Sequence, residues 1–172
     1  MSNVTTEAGT GTAVEPIAYA PRDGEAIWFL GQLVTIKASA ETTAGRVGVT
    51  ETLGLRGSGS PLHVHHNEDE WFYVLEGELT FWVGGETVTA PAGSFVYGPR
   101  GIPHTFTVSS ERARFLLVVE PGGFESFVRE IGEPARELTI PPAGSEPPDL
   151  EQLVAVAARY GLEITGPPGI PA

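Results

Sequence analysis

The sequence predicts an all-β protein, a sandwich or barrel of eight to ten short strands with helices only near its C-terminal end. Three observations predict it. Short β-branched and aromatic runs recur from about residue 27 to residue 120. Glycine (22 residues) and proline (15) punctuate those runs, which favours short elements joined by tight turns over a helical bundle. No convincing helical pattern appears before residue 121. At 172 residues, 41% of them hydrophobic, the chain suits one domain with a sizeable core and short appendages.

Taken in order, residues 1–15 are rich in Ser, Thr, Gly and Ala without periodicity and read as a mobile lead. The runs 27–30 and 32–38 flank Gly31. In 46–53, Val47, Val49 and Leu53 contrast with Thr50 and Thr52, so the apolar set is expected to face inward. The Gly57–Pro61 turn leads into the histidine strand. Runs 70–76 and 78–83 meet at Glu76–Gly77, which reads as a hairpin. Gly84–Gly85 is a two-residue turn of the primed type, leading into 86–90. Pro91–Ala92–Gly93 is another turn, and SFVY, HTFTV and ARFLLVVE complete the set. The barrel is thus expected over 16–120, and residues 121–172 form a C-terminal helical extension and Pro-rich tail. Within it, 124–131 place Phe124, Phe127, Val128 and Ile131 on one face. Near 150–160, Asp149 and Gln152 fit a capping box. Leu150, Leu153, Val154 and Ala157 form the stripe, and Gly161 is the stop. A Pro-rich linker, 141–148, separates the two helices, and 166–172 read as an extended tail.

Ten basic residues against twenty-two acidic ones give a formal charge of −12. Such a surface repels phosphate backbones and anionic lipid, which argues against nucleic-acid and membrane partners. Cysteine is absent, so disulfides, thiolate metal sites, iron–sulfur clusters and cysteine nucleophiles are excluded. No stretch approaches a membrane span, and no basic-then-apolar leader opens the chain, so the expected location is cytoplasmic.

The chemistry concentrates in GSGSPLHVHHNEDEWFYVLEG (57–77) and PAGSFVYGPRGIPHTF (91–106). His63 and His65, two apart on a strand, point to one face, and His66 points to the other. Glu70 can bring a carboxylate back to the same face. His104 follows an extended Ile102–Pro103 step on a distant strand. A set of His63, His65, Glu70 and His104 suits one divalent transition-metal ion (Mn, Fe, Co, Ni, Cu or Zn) and not Ca or Mg, which want mostly oxygen. By itself a His-x-His pair also fits a surface or core-edge strand, and Glu68, Asp69 and Glu70 also fit a solvated turn.

The joint pattern resembles a known family. Gly57, His63, His65, Glu70 and Gly77 match the first cupin motif without a gap, and Pro91, Gly93, Pro99 and His104 match the second. Val108 stands where that family often has an Asn that is not a metal ligand. The resemblance implies a double-stranded β-helix, or jelly-roll barrel, with the metal inside and a coordination position open to water, dioxygen or substrate. The segment GGFESFVREIGEPARELTIPP and the later YGLEITGPP are similar to the C-terminal extension of the monocupin quercetin 2,3-dioxygenase-like proteins. That similarity implies a dioxygenase acting on a flavonol-like or other phenolic small molecule. In such enzymes the carboxylate ligand takes the hydroxyl proton, and dioxygen cleaves the heterocycle.

The residue chemistry agrees with this. Glu70 is the one ligand able to leave the metal and accept a proton. An apolar, aromatic barrel suits a flat substrate, with Phe72, Phe81, Phe95, Phe106, Trp28, Trp82 and Tyr97 as wall candidates or plain core. Arg56 and Arg100 flank the motifs and read most simply as solvated loop residues. Two other classes stay open: a non-redox metallo-cupin isomerase, lyase or hydrolase, and a small-molecule-binding cupin without turnover. A homodimer is expected by fold analogy, with strands in 17–38 covering a sheet edge by crossing to the partner.

Overall fold

The computed structural model describes residues 14–142 and 149–171. Most of the N-terminal lead and of the 141–148 linker therefore lies outside the described residues. The elements run β1 (Glu25–Phe29), β2 (Gln32–Ala38), α1 (Ala40–Thr43), β3 (Gly48–Leu55), β4 (Pro61–His65), β5 (Asp69–Glu76), β6 (Glu78–Val83), β7 (Glu86–Pro91), β8 (Phe95–Gly98), β9 (His104–Val108), β10 (Arg112–Glu120), α2 (Phe124–Ile131), β11 (Glu133–Pro134), α3 (Leu150–Arg159) and β12 (Leu162–Pro168). They form two antiparallel sheets, ordered β11-β1-β2-β3-β10-β5-β8 and β12-β4-β9-β6-β7. This is the all-β jelly roll expected.

The core lies between the sheets. Phe72, Val74, Leu79, Phe81, Phe106, Val108, Phe115 and Val119 alternate inward from β5, β6, β9 and β10 and pack as one cluster. Each such side chain contributes about 1.5–3 kcal/mol when fully buried, so this end of the barrel is its rigid part. A second cluster joins Phe29, Val34 and Ile36 to Phe127, Val128, Leu153, Val156 and Ala157, closing the other end with α2 and α3. Glu125, fully buried, fixes α2 there. It accepts hydrogen bonds from Ala40 N at the start of α1 and from Gly123 N at 3.0 Å.

Several expectations are corrected. Glu76–Gly77 is no hairpin: β5 pairs with β10 and β8, and β6 with β7 and β9, so the chain changes sheets there. Gly77 has φ 74°, and a Cβ on it would lie 2.1 Å from Arg112 O, so this corner admits only glycine. The Gly84–Gly85 hairpin is present, with φ of 57° and 104°. The faces of β3 are reversed: Gly48, Thr50, Thr52 and Gly54 are buried, while Val49 and Leu53 are half-exposed. A one-turn helix, α1, precedes residue 121. On α3, Asp149 caps Glu151 N at 3.3 Å, and Val156 joins Leu153 and Ala157 inside. Leu150 and Val154 stay exposed. The last stretch is no loose tail, because β12 pairs with β4. β1 pairs with β2 along its length and with β11 at Ile27 and Trp28.

Candidate metal centre and its cavity

His63, His65, Glu70 and His104 come together as the residue spacing predicts. One ligand atom from each lies within 4.8 Å of all the others, and all four residues are buried. β4 supplies His63 and His65 on one face, and β9 pairs with it at the single step His63–His104. Glu70 arrives from β5 in the opposite sheet, so the cluster spans the barrel interior.

The hydrogen bonds fix the tautomers. His63 Nδ1 lies 2.8 Å from Pro61 O, and His104 Nδ1 lies 2.9 Å from Ile102 O. His65 Nδ1 lies 3.1 Å from Glu68 Oε2. Each partner is an acceptor, so each Nδ1 carries hydrogen and each Nε2 presents a lone pair. Those lone pairs converge on Glu70. Its Oε2 lies 2.8 Å from His104 Nε2 and 3.7 Å from His65 Nε2. One proton between His104 and Glu70 relieves one such contact only. His65 Nε2 remains buried without a hydrogen-bond partner. Four acceptors around one point, one of them orphaned, fit a divalent ion, and three imidazoles with one carboxylate are a transition-metal donor set.

The electrostatics follow from burial and from the close approach of the four groups. Burial, then the neighbouring histidines, pushes His63 down from 6.5 to about 3. Burial would raise Glu70, but the three histidines override it and hold the carboxyl at about 2. Burial would lower His104, and the Glu70 carboxylate overrides that, raising it.

The three consecutive acids have three different roles. Glu68 is buried and orients His65. Asp69 ties β5 to the loop before His104, accepting from Tyr97 Oη and Arg100 N at 2.9 Å each. Glu70 joins the cluster. The sequence pattern missed Glu68, whose signal was its place three residues after His65 in a tight turn. His66 is exposed and pairs with Glu163 at 2.9 Å, as strand parity predicts. Arg100 pairs with Asp69 and Arg56 bonds Ser109 O, so both are loop anchors.

A cavity of about 60 Å³ adjoins His63 and Glu70. Its aromatic walls are Phe29, Phe106, Phe115, Phe124 and Phe127. Of the expected wall candidates only Phe106 is among them. Phe72 and Phe81 are core, and Phe95 and Tyr97 are exposed. An outer groove of about 640 Å³ shares Leu30, Gly59, Pro61, Leu153 and Ile164 with the inner cavity. These residues lie where the two spaces meet.

Comparison with known proteins places these features. Residues 50–119 match the Cupin_2 cupin domain. Quercetin 2,3-dioxygenase of Bacillus subtilis (strain 168) is 30% identical over 119 residues, which are 69% of this chain and 35% of that protein. The chain thus spans about a third of that relative's length. An RmlC-like cupin from Shewanella frigidimarina has a TM-score of 0.55 at 18% identity, covering 66% of this chain and 96% of the other. A predicted oxalate decarboxylase from Thermotoga maritima has 0.53 at 23%, covering 62% and 99%. At those identities the two structures speak for the fold alone. Among the described residues no helix is long and apolar enough to cross a membrane. The chain belongs to the cupin superfamily, and over the matched region it resembles quercetin 2,3-dioxygenase.

Proposed function

We propose that His63, His65, Glu70 and His104 hold one divalent transition-metal ion, and that the protein is a dioxygenase acting on a flavonol-like or other phenolic small molecule. The observation that carries the metal reading is the orphaned His65 Nε2, facing a carboxylate already engaged by His104. Three neutral imidazoles and one carboxylate leave a bound dication with one net positive charge. In a dry, aromatic cavity that charge favours one oxyanion, such as a phenolate. The 30% identity to quercetin 2,3-dioxygenase supports dioxygen as the second substrate.

A bound metal ion would stabilise the anionic form of a substrate oxygen as a Lewis acid. The chain supplies the rest. Glu70, ionised at neutral pH, accepts the hydroxyl proton on Oε2, the oxygen now facing His104. Glu68, Pro61 O and Ile102 O hold the three imidazoles in the ligating tautomer. The aromatic walls limit the access of water to the cluster.

The test is elemental analysis of protein purified without chelator, followed by dioxygen uptake over flavonols and simpler phenols. Stoichiometric metal and substrate-dependent uptake are expected. Turnover without dioxygen would replace the reading with a non-redox metallo-enzyme. Tight binding without consumption would leave a binding protein. We also infer a cytoplasmic homodimer by fold analogy, and sedimentation as a monomer at micromolar concentration rejects the dimer.

A further inference from the structure

Gln32 is the one polar side chain besides His65 that ends in a buried atom without a hydrogen-bond partner among the described residues. It is 3% exposed and lines the same inner cavity as His63 and Glu70. Its Nε2 points to Gly59 O at 3.4 Å, which leaves Oε1 as the bare atom. Exchanging the two amide atoms would set an oxygen against the Gly59 carbonyl, so the amide orientation is determined. A buried acceptor left bare is unfavourable, and a ligand bringing a donor to it removes that cost.

The position of Gln32 in the barrel indicates the kind of ligand. Glu70 lies in the row Gly48–Val119–Glu70 across the large sheet. Gln32 lies one step beyond the Leu33–Leu53 pair, over Gly54, in the row containing Ala113. A Cβ on Gly54 would stand 3.3 Å from Gln32 Oε1 and 2.5 Å from Ser58 Oγ, so this glycine makes room for the carboxamide. Six residues of β3 separate the two rows, about 20 Å of strand at roughly 3.3 Å per residue. Across the other sheet the span is shorter: Gln32 reaches Gly59, which pairs with Thr107, three residues of β9 and about 10 Å from the His63–His104 step. Between them the cavity is lined by Thr50, Thr52, Phe115 and Leu117. A single small ring at the cluster does not reach Gln32, whereas an elongated aromatic does.

We infer that Gln32 is a substrate-binding residue: its Oε1 accepts a hydrogen bond from a hydroxyl or N–H at the far end of an elongated aromatic ligand whose other end binds at the His63–His65–Glu70–His104 cluster. The inference rests on the metal-and-phenol reading above and specifies its substrate as a molecule with two polar ends and an apolar middle.

The probes are 3-hydroxyflavone and its 4′-hydroxy and 7-hydroxy derivatives, titrated by fluorescence into the purified protein, with and without chelator. Wild type is expected to bind at least one derivative about tenfold tighter than the parent, the yield of one well-placed hydrogen bond. Gln32→Met, of similar length without the acceptor, is expected to lose that preference. Gln32→Asn withdraws the amide by one methylene, and it is expected to keep less than a third of the preference. It serves if Gln32→Met does not fold. Equal affinity of wild type for all three flavones overturns the proposal and leaves the oxygen to a water molecule. A preference that survives in the folded variants overturns it too. Failure of the metal reading shows separately, as parent binding that is indifferent to chelator.

Discussion

Replacing Glu68 by alanine gives the sharpest check on how the cluster is organised. Glu68 is 3% exposed, and among the described residues its Oε2 is the one acceptor at His65 Nδ1, 3.1 Å away. Without it, a fully buried N–H loses a charged partner, and nothing fixes the tautomer that turns Nε2 toward Glu70. Loss of such a partner typically costs 10–100-fold in metal affinity, or about 1.4–2.8 kcal/mol. Glu68→Gln keeps an accepting oxygen and loses only the charge, so its affinity falls less, by about three- to tenfold. Glu163→Gln is the control. Its carboxylate makes a shorter contact, 2.9 Å to His66, but the pair is 61% and 53% exposed, and solvent screening leaves it worth little. The assay is competition for zinc or manganese against a chelator of known affinity, with circular dichroism to confirm folding. Affinity of Glu68→Ala within twofold of wild type, or an equal fall in Glu163→Gln, would refute the reasoning.

Three further outcomes are expected. His104→Ala removes one of three nitrogen donors, so metal content after dialysis drops below about a tenth of wild type; unchanged occupancy withdraws His104 from the ligand set. Glu70→Gln lowers turnover by about 10²-fold or more while losing less metal, because it removes the proton acceptor; equal losses leave Glu70 a ligand and no base. The chelator-treated protein loses stability on acidification. His63 drops from 6.5 to about 3 on folding, by burial first, so its contribution is present above 6.5 and is lost as pH falls toward 3. Glu70, held at about 2 by the histidines against the effect of burial, contributes in full above 4.5 and loses this as pH falls toward 2. His104 is raised and acts in the opposite sense, its contribution disappearing as pH rises through its folded value. A melting temperature flat between pH 6.5 and 4 would contradict the His63 assignment, and one flat between pH 4.5 and 2 the Glu70 assignment.

The cluster was legible because its geometry follows from strand parity and from a two-part residue pattern. Both are properties of the sequence. What escaped depends on which strand lies beside which. The apolar residues of β3 face outward because the inward positions Gly48 and Gly54 leave room for Glu125 and Gln32, which arrive from elsewhere in the chain. The turn at Gly77 was visible, but not that it carries the chain to the other sheet. Residues 166–172 looked like an extended tail because Gly and Pro interrupt them, but the strand 162–168 reaches into that stretch. It forms because the pairing with β4 slips at Gly166 and Pro168, so the prolines fall at irregular positions of an outer strand. The cavity aromatics were missed because Phe29, Phe124 and Phe127 enter the barrel from its closing elements and not from the motif strands.

The pairing of β12 with β4 also bears on when the site comes into being. Leu162 stands opposite His65 and Ile164 opposite His63, so the strand with two of the four cluster residues gains its outer neighbour from the far end of the chain. During synthesis on the ribosome, the motif residues are all made before that neighbour exists. A nascent chain that has just passed His104 holds both sequence motifs but only half of the backbone pairing that aligns the imidazoles. On the proposed metal reading, ion capture is therefore tied to synthesis of residues 162–168, and a truncated product that keeps both motifs but lacks them is expected to compete poorly for metal.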